Sequence, residues 1–175
     1  MMLVWVLVVT ALLVSDVAGM DNSTEVEETL RTFGTLKKGR CENGWYEYQP
    51  TKSCYRCFTT SKKWRDAEIF CNTQRHFGNL ASVTSCDHNE FISKVVRAVT
   101  RSIRPVWIGL KDYCKNGNFL WSDESTIRYL NWGEGSPVSP NYRYYCAYTN
   151  YRSRGVWRNV NCNTSAYYVC AYVYH

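Results

Sequence analysis

The sequence predicts an α+β domain: two helices, then a late antiparallel sheet, stapled by disulfides. Three observations lead there. Apolar residues recur at helical spacing in two stretches ahead of Pro105. Short apolar runs broken by Gly, Pro and Asn follow. Nine cysteines in 175 residues, behind an apolar leader, fit an oxidising compartment.

Residues 3–14 are an apolar run with Thr10 as its one polar residue, too short for a bilayer span of about 20 residues. Val17 and Gly19 suit cleavage before Met20, so 1–19 is predicted to be a signal peptide. The mature chain is then secreted and extracellular, or stored in a secretory granule, with no membrane span. Residues 20–40 lack cysteine and end Lys37-Lys38-Gly39-Arg40. They form an N-terminal arm or a prosegment removable after Arg40. From 41 to 175 runs the cysteine-rich domain. Lys62–Arg75 places Trp64, Ala67, Phe70 and Cys71 on one helical face. Asp87–Ile103 does the same for Phe91, Ile92, Val95, Val96, Val99 and Ile103, with Asp87 and Glu90 spaced as an N-terminal cap. Val106–Leu110, Phe119–Trp121, Val156–Trp157 and Tyr167–Tyr174 read as strands, and Pro137 and Pro140 mark a long irregular loop. Asn22 and Asn163 open glycosylation sequons.

Composition excludes several classes. An apolar share of 45% supports a real core and excludes disorder, collagen and coiled coil. The net charge is +6. Four of the 21 basic and five of the 15 acidic residues precede Cys41, leaving 17 against 10 in the domain. No acid follows Glu134, whereas four arginines and nine tyrosines do. That asymmetry favours an anionic or stacking partner.

Ordered motifs then name a family. They are Cys41-Glu42-Asn43-Gly44-Trp45, Trp64-x-x-Ala67-Glu68-x-x-Cys71, Asn79-Leu80-Ala81-Ser82-Val83, Trp107-Ile108-Gly109-Leu110, Trp121-Ser122-Asp123 and Trp157-x-x-x-x-Cys162. The chain resembles long-form C-type lectin-like domains, whose fold combines two helices with antiparallel sheets. Gly78-Asn79-Leu80 and Trp132-Gly133-Glu134-Gly135-Ser136-Pro137 make it most similar to the Reg (lithostathine and pancreatitis-associated) group. Cationic granule proteins like eosinophil major basic protein are the second choice. The resemblance implies the bridges Cys41–Cys54, Cys71–Cys170 and Cys146–Cys162. The second would contribute up to about 4–5 kcal/mol by closing a long loop. Cys57, Cys86 and Cys114 depart from the six-cysteine pattern. A Cys86–Cys114 bridge is preferred, leaving Cys57 on a buried strand; an exposed leftover thiol would instead favour a disulfide-linked oligomer.

Sugar-binding relatives hold a calcium ion with loop oxygens. The resemblance places those ligand positions on Ser136, Val138, Tyr144, Arg158 and Asn159. Calcium takes about 6–8 oxygen ligands, several of them carboxylates. This set has no carboxylate and includes a guanidinium, so no metal and no cofactor are expected. A Reg-type Glu-Pro-Asn loop is also missing between Leu110 and Phe119.

Two basic constellations remain as candidate ligand sites. One is Lys62, Lys63 and Arg65, with Arg56 nearby in sequence. The other is Arg143, Tyr144, Tyr145, Tyr148, Arg152, Arg154 and Arg158, with Tyr151 among them. Arginine pairs with planar anions through two N–H groups, and tyrosine adds flat stacking area. The expected function is calcium-independent recognition of an anionic glycan (a glycosaminoglycan or bacterial envelope) or of a protein partner. Alternatives are a cationic antimicrobial or cytotoxic defence protein and a self-assembling structural protein. No nucleophile elbow, zincin helix or P-loop is present, so no enzyme is expected and no catalytic residue is assigned. Secretion disfavours nucleic acid as a partner.

Overall fold

The computed structural model describes residues 36–138 and 144–175. The leader, most of the arm, Asn22 and Arg143 lie outside the described residues.

The described chain folds in the order β1 (Tyr46–Tyr48), a short 3-10 turn (Gln49–Thr51), β2 (Ser53–Lys62), α1 (Trp64–Gln74), β3 (Asn79–Leu80) and α2 (Cys86–Thr100). Then come β4 (Val106–Lys111), β5 (Leu120–Trp121), β6 (Cys146–Thr149), β7 (Arg158–Val160) and β8 (Ala166–Val173). The sheet runs β1-β2-β8-β4-β6-β7, with β3 added to β8 and β5 to β4.

This corrects the predicted arrangement in two ways. The sheet begins before the helices, since the long strand β2 pairs along most of β8. The sheet is also mixed: β4 runs parallel to β8, with Val106 opposite Tyr167. Beyond its buried first half, β2 carries polar, exposed residues such as Thr59 and Thr60, so its apolar signal is short. Trp157, expected on a strand with Val156, makes one parallel bridge to Trp132, and β7 starts one residue later.

The helices follow their apolar faces. In α1 Trp64, Ala67 and Cys71 are buried, which is helical spacing. In α2 Ile92, Val95 and Val96 reach the core. Val99 is 41% exposed, and Ile103, expected within the helix, is 49% exposed because the helix ends at Thr100 with Arg101 in a left-handed cap. The cap of α2 is Ser85 rather than Asp87: its hydroxyl accepts from His88 N–H at 3.1 Å. Asp87 instead sits in the first turn, where a carboxylate suits the helix dipole.

Two apolar clusters fill the domain. One lies under α2 and joins Ile92, Val95, Val106, Ile108, Leu110, Trp121 and Trp157. The other lies under α1 and joins Trp45, Trp64, Trp107, Tyr168 and the six bridged cysteines. Bridges Cys41–Cys54, Cys71–Cys170 and Cys146–Cys162 form with Cα–Cα separations of 5.7, 5.3 and 5.2 Å. The preferred Cys86–Cys114 bridge does not form. Both thiols are free and exposed, while Cys57 is free and buried on β2, as expected. Cys86 opens α2, whereas Cys114 belongs to the loop after β4.

Candidate functional site: a basic, aromatic face

The segment between β6 and β7 is pinned from behind by α2. Asn150, with a left-handed backbone (φ 61°), accepts at Oδ1 from Gly155 N–H at 2.8 Å and from Ser93 Oγ–H at 2.9 Å. Asn89 donates to the Gly155 carbonyl at 2.9 Å and accepts from the Trp157 indole N–H at 2.8 Å. Tyr151 N–H closes the loop on the Val156 carbonyl at 2.9 Å. Arg152 and Arg154 therefore project from a turn held rigidly against the core.

On this turn the rings and cations interleave. Tyr148 and Tyr151 stack with centroids 6.0 Å apart. The Arg158 guanidinium lies 4.6 Å from the Tyr151 ring and donates to its hydroxyl at 3.0 Å. Arg152 lies 5.2 Å from the same ring. Burial raises the Tyr148 hydroxyl above its usual range, aided by Tyr151 and opposed by the Arg158 charge. Tyr148 stays neutral at physiological pH and can donate a hydrogen bond to an anion.

The two basic constellations, distant in sequence, attach to one core cluster through Trp64, Trp107 and Tyr148. Trp64 N–H donates to the Cys162 carbonyl at 3.0 Å, and the Trp107 indole donates to the Lys62 carbonyl at 2.9 Å. Trp107 in turn packs on Tyr148 at 5.4 Å. Lys62 lies over Phe70 at 5.3 Å, and Lys63 and Arg65 are exposed. Arg56 departs from the group and lies over Phe58 at 5.0 Å.

Sequence reasoning missed Lys111, Tyr113 and Lys115. Lys111 ends β4, and its Nζ lies 4.9 Å from the Trp64 ring and 6.0 Å from the Tyr145 ring. Lys115 lies 4.9 Å from Tyr145. No linear pattern links these residues; the packing of α1 on β4 does. Two ion pairs among the described residues, Arg75–Glu42 and Lys94–Glu90, lie away from this face.

The positions matched to calcium ligands hold a different arrangement. Ser136–Pro137 is a cis peptide. Asn159 is 1% exposed. Its Oδ1 accepts from Val138 N–H at 2.7 Å, and its Nδ2 donates to the carbonyls of Val138 at 3.0 Å and Tyr144 at 2.8 Å. Arg158 turns to Tyr151. The small cavity beside them, about 30 Å³, touches Asp112, Pro137, Val138, Tyr144 and Asn159. Its one carboxylate, Asp112, is taken by the backbone N–H groups of Asn116 at 3.2 Å and Gly117 at 2.7 Å. Among the described residues, the oxygen donors here include no carboxylate free of the backbone, which is a poor match to a calcium ion.

A mixed sheet with two helices, three bridges and an irregular segment before β6 defines a C-type lectin-like binding domain. The Lectin C-type domain family matches residues 60–172, and the chain belongs to it. Human lithostathine is similar in structure: TM-score 0.70, 30% identity, covering 77% of this chain and 100% of that one. Lectoxin-Lio1, a C-type lectin of Erythrolamprus poecilogyrus, is 32% identical over 81% of this chain and 85% of its own length. The human C-type mannose receptor 2 is 32% identical over 79% of this chain, which spans 9% of that receptor. The likeness to lithostathine agrees with the Reg-like motifs.

Proposed function

We propose that this domain is a secreted, calcium-independent binding protein for anionic glycans. The observation that carries the reading is the Arg152–Tyr151–Arg158 stack with Tyr148 behind it, basic and without an acidic partner among the described residues. Guanidinium groups held against rings are already ordered, so less entropy is lost when a sulfate or carboxylate binds. The Asn159 clasp supports calcium independence, because the side chain matched to a metal ligand is spent on backbone groups. Three bridges and the apolar leader support secretion, with 20–40 as the arm or prosegment. Asn163 is exposed in a turn beside Cys162 and is a candidate glycan carrier. The exposed thiols of Cys86 and Cys114 offer a route to a disulfide-linked oligomer.

Retention of the secreted chain on heparin, insoluble peptidoglycan and mannan beads, with calcium and with chelator, tests this. Salt-sensitive, chelator-insensitive retention on heparin or peptidoglycan is expected. Chelator-sensitive retention on mannan would contradict it. No retention on any bead would replace the glycan with a protein partner.

A further inference from the structure

Lys111 is partly buried among three aromatic rings, with Nζ 4.9 Å from the Trp64 centroid, 4.5 Å from Tyr113 and 6.0 Å from Tyr145. Lys115, on the following loop, sets its Nζ 4.9 Å from Tyr145. Arg65 is the third cation. Burial first, and then the charges of Arg65 and Lys115, hold the Lys111 ammonium below the usual lysine range.

An ion pair would relieve this repulsion, yet none forms among the described residues. Glu68, the acid that attracts Lys111, spends its oxygens elsewhere. Its Oε2 accepts from Leu80 N–H at 2.8 Å and Ser122 Oγ–H at 3.0 Å, and its Oε1 from Asn72 at 3.5 Å. Three like charges are thus gathered beside flat rings, with no ion pair among the described residues to match them. The gathering costs stability through repulsion and desolvation, which a purely structural role would not require. Tyr113, 46% exposed, offers a ring face beside the ammonium, which suits the apolar face of a sugar better than a bare phosphodiester.

The cluster is continuous with the Arg–Tyr stack. Tyr145 and Tyr148 pack on the same core cluster around Trp64 and Trp107. They are three positions apart, about 10 Å at the rise of a strand. Asp112 N–H donates to the Tyr145 carbonyl at 2.9 Å, tying the Lys111 end of β4 to the start of β6, and Tyr148 lies opposite Arg158 in the β6–β7 register.

We propose that Lys111, Lys115 and Arg65 form a second anion subsite. One linear sulfated polysaccharide then reaches both clusters, meeting this subsite at one end and the Arg152–Tyr151–Arg158 stack at the other. The inference rests on the glycan-binding reading above and adds the length and polarity of the ligand. A fragment shorter than the span engages one cluster, whereas a longer one engages both and gains from the second contact being intramolecular.

The test titrates the full chain with heparin-derived oligosaccharides of two lengths, one below and one above the span. Lys111→Gln and Lys115→Gln are compared with Arg152→Gln. Lys115 is exposed on a loop, so its variant keeps the test intact if Lys111→Gln disturbs the rings. The long fragment should bind about tenfold tighter than the short one. Each lysine variant should lose about fivefold for the long fragment, which is less than one tenfold step of affinity. Unchanged long-fragment affinity in both lysine variants, with Arg152→Gln still weakened, overturns the second subsite alone. Failure of the unaltered chain to bind either length overturns both readings.

Discussion

Asn159 grips both backbone polar groups of Val138: the Val138 N–H donates to Oδ1 at 2.7 Å, and Nδ2 donates to the Val138 carbonyl at 3.0 Å. The side-chain amide acts as a strand's backbone would, and holds the chain after cis-Pro137 against β7. A position matched to a metal ligand has become a structural clasp.

Asn159→Asp should therefore destabilise the domain. The carboxylate can still accept from Val138 N–H but faces the carbonyls of Val138 and Tyr144 with no donor. A loss of about 1–3 kcal/mol in urea unfolding is expected. Added calcium should leave the loss unchanged. Recovery of stability with calcium would mean that a metal can occupy the position.

Removing the arginines tests the face itself. Arg152 is exposed and lies over the Tyr151 ring, so Arg152→Gln should keep the thermal midpoint and weaken heparin binding. The pair Arg152→Gln and Arg158→Gln should lose about tenfold or more, with a shallower dependence on salt. Unaltered affinity in the pair would place the ligand elsewhere.

A pH window follows from His88. Burial holds its imidazole down to about 4 from 6.5. It stacks on Tyr48 at 4.4 Å and accepts at Nδ1 from Thr84 N–H at 3.2 Å. The unfolded chain takes up this proton first, so the contribution is whole above about pH 6.5 and falls toward about pH 4, by up to about 1.4 kcal/mol per pH unit. Glu68 acts oppositely in acid, since burial holds its carboxyl above the usual value and the folded state takes that proton first. His88→Phe isolates the histidine. Its urea midpoint should change less between about pH 7 and about pH 5 than that of the unaltered chain. Equal changes would exclude His88 as the source.

Thiol labelling checks the three unbridged cysteines. Burial pushes the Cys57 thiol up to about 12, whereas Cys86 and Cys114 are exposed. Iodoacetamide on the native chain should modify Cys86 and Cys114 and spare Cys57, which should react after unfolding. Protection of Cys86 and Cys114 together, lifted by reductant, would restore the bridge that the sequence favoured.

Where packing follows periodicity, the sequence was readable. Trp64, Ala67 and Cys71, and Ile92, Val95 and Val96, are buried as their spacing predicts. The bridges followed from the family resemblance, because spacing alone leaves many pairings open. The polar outer half of β2 hid the start of the sheet, since Thr59 to Lys62 carry no alternating apolar signal. Ser85 was passed over as a cap because Asp87 and Glu90 imitate one from inside the helix. At the candidate site, Tyr148, Arg152 and Arg158 were visible as a local run. Their link to Lys62, Lys63 and Arg65 through a shared core was not, because it depends on hydrogen bonds from Trp64 and Trp107 across the fold. Lys111 and Lys115 sit among few charges in sequence and gain meaning only where Tyr145 and Trp64 meet them.

The most direct measurement is the heparin dissociation constant of the secreted chain in saturating calcium and in chelator, each across a salt series. The account expects one affinity in both conditions, falling steeply with salt. An affinity that needs calcium, or one indifferent to salt, would contradict a metal-free basic face as the binding surface.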